Sequence, residues 1–295
     1  MVLAYCSYDE HTVFCVYWES CAAVALKIIR GGIILVIIGE LINSSRKAVG
    51  PAVDNRDAAF IQDLARKQVE AGATYVDVNA GTHVHDEAEC LTWLAEVVQD
   101  AVDAPLCLDS PNPDAIKAAI KVCKKQVLIN SISAEKDRFD RILPLVTEYN
   151  ARVVGLCMDD TGMPETAEDR IRVADFLVEN MTKAGVKVED MFLDPLVKPI
   201  SVNISFGNEV LDAMRAIHTK YPGIHTTCGL SNVSFGLPNR KLLNQAFFVM
   251  CVANGMDGVI MDPLDPTIMD LAIASDALVA RDEYCMSYIT RQRNK

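Results

Sequence analysis

Short apolar, β-branched runs alternate with stretches of helical period eight times along this chain, and that alternation restricts the folds open to it more than any other feature. Residues 33–39 form an almost wholly apolar run, as a parallel strand buried on both faces requires. Further strand candidates fall at 74–78, 105–108, 126–129, 152–157, 191–193, 223–228 and 258–261, each leading into a helical stretch. After the first run, Phe60, Ile61, Leu64, Ala65, Gln68 and Val69 recur at three-to-four spacing. Asp54 or Asn55 can cap that helix, and Gly72 stands where a left-handed stop belongs. The clearest helix has Thr166 and Asp169 in the relation of a capping box, Ile171, Val173, Ala174, Leu177, Val178 and Met181 on one face, and Gly185 at its end. Eight strand-helix units in about 250 residues predict an α/β fold of the closed (β/α)8 TIM-barrel type. An open doubly wound sheet is the competing architecture, and the lack of a G-x-G-x-x-G turn after any strand weighs against it.

With 51% hydrophobic residues in 295, the chain has ample material for a large core. Lys and Arg number 28 against 40 Asp and Glu, a net charge of -12 that argues against nucleic acid as a partner. The ten cysteines are scattered, mostly inside apolar runs and without a CxxC pair. They read as reduced thiols acting as small hydrophobes, not as a disulfide framework or a structural zinc site. Residues 1–32 are rich in aromatics and cysteine but keep no period, and Asp9 and Glu10 stand where a signal peptide needs basic residues. The apolar stretch 22–42 is broken by Lys27, Arg30, Glu40 and the Gly31-Gly32 pair, so it does not read as a membrane span. The expectation is a cytoplasmic protein with an N-terminal extension, 1–32, and one barrel domain, 33–295.

The residues at the far ends of the apolar runs are chemically uniform. Glu40 and Asn43, Asp77 and Asn79, Asp109, Asn130, Asp159 and Asp160, Asp194, Asn232 and Asp262 all stand just past a strand candidate. In a barrel these ends converge on one face, giving a pocket ringed with carboxylates and amides and almost free of positive charge. Any one of them is also an ordinary loop cap. Together they suit a flat heterocycle with amino and ring N–H donors, because a carboxylate accepts two such donors side by side. Phosphate is poorly matched. A divalent ion would accept these carboxylates too, but they come from separate strands with no histidine among them, and His83 and His85 lie in the loop after the second strand. No metal site is assigned.

The segments Gly39-Glu40-Leu41-Ile42-Asn43, Asp77-Val78-Asn79, Leu106-Cys107-Leu108-Asp109-Ser110, Ile129-Asn130-Ser131, Leu193-Asp194-Pro195 and Gly229-Leu230-Ser231-Asn232-Val233-Ser234 occur in the order found in methyltetrahydrofolate:corrinoid protein methyltransferases. From about residue 33 onward the chain resembles that family, and it is similar to the pterin-binding module of cobalamin-dependent methionine synthase. The resemblance implies that Asp109, Asn130 and Asp194 hold the aminopyrimidine edge of a pterin, with Gly229 and Ser231 adding contacts. It implies that Asn232 is the catalytic residue, its amide following the charge that develops on the methyl-bearing nitrogen. Arg240 lines up with an arginine near the site, while Glu40, Asn43, Asp77 and Asn79 are further candidates. Phe235 departs from the family, some of whose folate-using members have a polar residue there.

Tetrahydrofolate or methyltetrahydrofolate is then a substrate, and a corrinoid (cobalamin) is the co-substrate, carried on a separate corrinoid-binding protein and not tightly bound here. The direction of transfer stays open. Apolar faces around Phe247-Phe248 and residues 271–279, with the family analogy, suggest a homodimer. Two other readings remain. A dihydropteroate synthase shares the barrel and pterin site but uses a basic Ser-Arg-Lys-type loop, where this chain has Ser234-Phe235-Gly236-Leu237-Pro238. A non-catalytic pterin-binding subunit would have no need of the Asn232 donor.

Overall fold

A computed structural model describes residues 35–293, and the expectation for residues 1–32 lies outside them. Eight parallel strands form one sheet: β1 (Val36–Asn43), β2 (Tyr75–Asn79), β3 (Leu106–Asp109), β4 (Leu128–Ala134), β5 (Arg152–Asp159), β6 (Met191–Asp194), β7 (His225–Thr226) and β8 (Gly258–Met261). Their order, β7-β6-β5-β4-β3-β2-β1-β8, with helices between successive strands, is that of the expected (β/α)8 barrel. Ladders join every neighbouring pair except β7 and β8. That seam is closed by Asp257, just ahead of β8. Its backbone N–H donates to Thr226 O (3.3 Å), its Oδ1 accepts the Thr226 N–H (2.9 Å), and its Oδ2 lies 2.7 Å from His225 Nδ1. Its carbonyl in turn accepts the Val36 N–H of β1 at 2.7 Å.

Strand side chains two residues apart share a face, so the barrel interior can be traced upward by twos. Ile38, Tyr75, Cys107, Leu128, Val154 and Phe192 pack into one buried cluster, the apolar plug of the barrel. Two residues further along the same strands stand Glu40, Asp77, Asp109, Asn130, Leu156 and Asp194. Five of the six are polar. The strand period therefore stacks the polar set directly above the plug, toward the C-terminal mouth.

The helices cover the outside and bury a larger apolar layer against the sheet. α1 (Val49–Asp54) is a short helix of its own. The helix after it, α2 (Ala58–Ala71), begins at Asp57, whose side chain accepts the Phe60 N–H at 3.1 Å, so Asp54 and Asn55 are not its cap. Phe60 faces outward, and Ile61, Ala65 and Gln68 carry the buried stripe. Gly72 takes the left-handed stop at φ 114°. Ahead of β3 comes α3 (Glu87–Gln99). The Thr166/Asp169 capping box is formed at the start of the helix Ala167–Lys183. Phe247 and Phe248 are buried within the chain, so they offer no face to a second copy. All seven cysteines among the described residues are free thiols, five of them buried. None of the helices described is long and apolar enough to cross a membrane.

If Asp257 is the clasp of the open seam, Asp257→Ala should cost about 2–4 kcal/mol, since it removes two hydrogen bonds from a buried carboxylate. Urea unfolding would measure this, and a loss within experimental error of wild type would show that the seam holds without it.

Candidate functional site

The polar layer divides into two directly connected groups at the C-terminal end of the sheet. In the first, Asp109 and Asn130 are paired residues of β3 and β4, and Asn79 pairs with Asp109 from the β2 side. Asn79 Nδ2 donates to Asp109 Oδ2 at 2.8 Å, while Asn79 Oδ1 accepts the Gly81 N–H. Asp77 is buried beside these, bonded to the Asn130 side chain and the Cys107 thiol, and its Oδ2 has no partner among the described residues. Burial raises the Asp77 carboxyl well above the ordinary carboxylate range, and the charges of Asp109 and Glu40 push it further. Burial also raises Asp109, opposed by the Asn79 hydrogen bond and the nearby Arg138. Glu40 is raised by burial as well, opposed by Arg46, whose guanidinium donates to Glu40 Oε1 at 2.7 Å.

The second group is built on β6 and the turn after β7. Asp194 is the last residue of β6, paired with Leu156 of β5. Its Oδ1 accepts the Leu196 N–H at 2.8 Å, and the Gly229 N–H reaches the same carboxylate. Burial lifts Asp194 to about 6, against the pull of those two N–H groups and of Arg170. Gly229 opens a short 3-10 turn, Leu230–Ser234, on which Ser231 and Asn232 are exposed. Asn232 Nδ2 lies 3.1 Å from where a Cβ on Gly229 would stand. A glycine there lets the amide fold back toward Asp194's own hydrogen-bond donor.

Other candidates serve the fold around these groups. Arg240 donates to Ser231 O (2.7 Å) and to Ser234 Oγ (3.0 Å) and lies over the Phe235 ring, so its guanidinium braces the turn. Asn43 turns the chain after β1 by accepting from the N–H and Oγ of Ser45. Asp159 is bonded by Thr161 and Arg172, and Asp160 accepts the Lys136 N–H at the start of the preceding helix, Lys136–Glu148.

The expectation of a pocket almost free of positive charge needs correction. Three arginines act on its carboxylates: Arg46 bonds Glu40 directly, while Arg138 and Arg170 stand behind Asp109 and Asp194. Arg170 is fully buried and donates to the carbonyl oxygens of Pro195, Thr166 and Leu196 at 2.7, 2.8 and 3.1 Å. The sequence carries a sign of it, because position 170 falls on the buried stripe of its helix, three residues before Val173. Lys198, in the loop after β6, has no such signal. It pairs with Glu165 and lies 4.4 Å over the Phe206 ring.

A (β/α)8 barrel whose C-terminal mouth gathers buried and half-buried carboxylates beside amides is chemically suited to a small, donor-rich heterocycle. More particularly, the chain belongs to the pterin binding enzymes, whose family pattern it matches over residues 40–262. It is 41% identical over 257 residues to the methylcorrinoid:tetrahydrofolate methyltransferase of Eubacterium limosum, covering 86% of this chain and 94% of that protein. It is 29% identical over 240 residues to the methionine synthase of Mycobacterium tuberculosis, covering 77% of this chain but 20% of the synthase. Among solved structures it resembles a Yersinia pestis dihydropteroate synthase with a sulfonamide drug complex, at TM-score 0.65 and 16% identity over 83% of this chain and 94% of that one. A Coxiella burnetii dihydropteroate synthase in complex with pteroic acid gives TM-score 0.62 at 16% identity, over 84% and 93% of the two chains. At that identity the likeness concerns the fold.

Arg170→Met should cost about 3–5 kcal/mol, because it strands the buried Pro195 carbonyl, removes two further hydrogen bonds and takes away the cation near Asp194. It should also move the Asp194 titration above about 6, the opposite of the shift that Arg170 now produces. Denaturant unfolding and a carboxyl NMR titration read the two effects separately.

Proposed function

We propose that this chain transfers a methyl group from the cobalt of a methylcorrinoid to tetrahydrofolate. The observation that carries the reading is the pairing of half-buried Asp109 and buried Asp194 with an exposed amide, Asn232, folded over Gly229. The 41% identity to a protein named for this reaction supports it. Asp109, Asn130 and Asp194 accept and donate along the aminopyrimidine edge of the pterin, and Gly229 and Ser231 line its side. Asn79 holds the Asp109 carboxylate in place. Asp77, whose carboxyl burial raises well above the ordinary carboxylate range, supports Asn130 by bonding to its side chain.

In the transfer, the lone pair of the folate N5 forms the new N–CH3 bond. The Co–CH3 bond breaks with its electrons left on cobalt, and N5 gives up its proton. Reversal requires N5 to gain a proton or a strong hydrogen bond, since an uncharged amine is a poor leaving group. An amide both accepts and donates, so Asn232 can track the charge on N5 through the step. Interactions that strengthen only in the transition state raise turnover more than affinity. The corrinoid arrives on a partner protein, and the chain works in the cytoplasm, as a homodimer in keeping with its family.

Mixing the purified protein with methylcob(III)alamin and tetrahydrofolate should shift the cobalt spectrum to that of the reduced corrinoid as methyltetrahydrofolate forms. Absence of transfer with intact pterin binding would support a passive binder instead. Asn232→Ala should keep tetrahydrofolate affinity within about tenfold, or about 1.4 kcal/mol, while transfer slows much further. Equal losses in both would remove the catalytic role. Asp109→Ala and Asp194→Ala should weaken binding itself.

The pH dependence has a definite sign. Pterin N–H donors favour the ionised carboxylate, so they lower the Asp194 pKa from about 6 in the free protein. Affinity should therefore rise with pH up to about 6 and add nothing from this residue beyond it. Calorimetric titration with tetrahydrofolate across about pH 5 to 8 measures the curve, and Asp194→Asn should abolish this residue's part of it. A wild-type affinity that falls as pH rises toward 6 would contradict the assignment.

A further inference from the structure

Beside the loop after β2, away from the polar layer, His83, Asp86 and Cys90 come together with their ligand-type atoms all within 4.8 Å of one another. His83 Nδ1 lies 3.4 Å from Asp86 Oδ1, and Cys90 Sγ lies 3.3 Å from Asp86 Oδ2. Bonds of about 2.0 Å to N and O and about 2.3 Å to S at tetrahedral angles put ligand atoms about 3.3–3.5 Å apart. The histidine and the thiol each lie at that spacing from Asp86, one from each of its carboxylate oxygens. We infer that His83, Asp86 and Cys90 form a binding site for a zinc-class divalent ion.

Local structure explains why the three meet. Asp86 stands immediately before α3, and Cys90 is one turn in, with its N–H donating to Asp86 O at 3.0 Å. Their side chains therefore share one face of the first turn. His83 is drawn over that face by the turn in which the Asp86 N–H donates to His83 O. Its other ring nitrogen, Nε2, lies 3.3 Å from Asp54 Oδ1 at the end of α1. A carboxylate on the far nitrogen of a metal-bound imidazole fixes its tautomer and makes it a better ligand. That arrangement is what distinguishes this cluster from three polar side chains that happen to be close.

The chemistry of the set points to a particular class of ion. One thiolate, one imidazole and one carboxylate match zinc or cobalt(II) and are poorly suited to magnesium or calcium, which prefer all-oxygen shells. On binding, the Cys90 thiol gives its proton to solvent, and the two anionic ligands balance the ion's charge. A fourth coordination position is left to solvent or to a ligand. Adjoining it is a cavity of about 510 Å³ lined in part by Ser44, Arg46, Lys47, Asp54, His83 and His85. The ion would tie the loop after β2, and through Asp54 the loop after β1, into one unit. The spacing H-x2-D-x3-C lacks the CxxC pair that marks a zinc site in sequence, which is why the sequence alone assigns no metal.

Equilibrium dialysis of the whole chain against Co2+, with absorption spectroscopy of the loaded protein, tests the site. The expected result is one Co2+ per chain, with a thiolate-to-cobalt band in the near ultraviolet and visible bands of tetrahedral intensity. Cys90→Ser should abolish the thiolate band, and His83→Gln should weaken binding by about tenfold or more. Asp54→Asn, which leaves all three ligands in place, should weaken it by about 10–100-fold. Cys285→Ser, at the exposed thiol, should leave the spectrum unchanged. Substoichiometric uptake by the wild type, or a thiolate band that survives in Cys90→Ser, would overturn the proposal. Where Cys90→Ser fails to fold by circular dichroism, the wild-type stoichiometry and the Asp54→Asn affinity decide. In parallel, Zn2+ at a fixed concentration should raise the melting temperature of the wild type more than that of His83→Gln.

Discussion

Everything at the mouth of this barrel depends on keeping ionisable oxygens out of water one pleat above an apolar plug. Ile38, Tyr75, Cys107, Leu128, Val154 and Phe192 fill the interior, and the next inward residues on the same strands include Glu40, Asp77, Asp109, Asn130 and Asp194. A carboxylate moved from bulk water to such a place loses hydration that only hydrogen bonds and countercharge can replace. The raised affinity for protons at Glu40, Asp77, Asp109 and Asp194 measures how incomplete the replacement is. Under the proposed function a ligand bringing N–H donors completes it, and the discomfort of the free site becomes the source of selectivity.

The three arginines set how far that discomfort goes. Arg46 reaches Glu40 directly, whereas Arg138 and Arg170 spend their N–H groups on backbone carbonyls and act on Asp109 and Asp194 only through space. Direct salt bridges would have used up the carboxylate lone pairs that a heterocycle needs. Cations held one layer back lower the cost of ionisation and leave the acceptors free. Asp77 has no such cation among the groups acting on it, and it is the carboxylate raised most clearly.

The polar set is legible in the sequence because strand period and strand end coincide at each position. Where the strands stop is not. Asn79, Asp109, Asn130 and Asp194 read as the first residues past their strands, yet each is a paired rung of the ladder. Polar residues in a buried parallel sheet look like loop in an apolar pattern, although ladder hydrogen bonds hold them as firmly as their neighbours. At β7 the error runs the other way. Six residues look extended, but two are paired, because Asp257 takes over the hydrogen bonding that a longer strand would supply. Arg170 is hidden by its charge on a stripe expected to be apolar, and the His83–Asp86–Cys90 cluster by depending on how a loop folds.

That difference between rungs and loops separates two kinds of work. Asp109, Asn130 and Asp194 are fixed by the sheet, so they present the same acceptors before and after a ligand arrives. Asn232 belongs to a five-residue turn, exposed at its tip, that is held to the following helix by Arg240 and by the Ser234 hydroxyl donating to Asn244. A group that must stay hydrogen-bonded while a nitrogen changes charge benefits from a side chain free to rotate on a braced backbone. A methyl donor as large as a protein-bound corrinoid can also approach only where the site is open. Under the proposed reaction, binding therefore falls to the buried rungs and transfer to the exposed turn, and the two are coupled where the Gly229 N–H meets the Asp194 carboxylate.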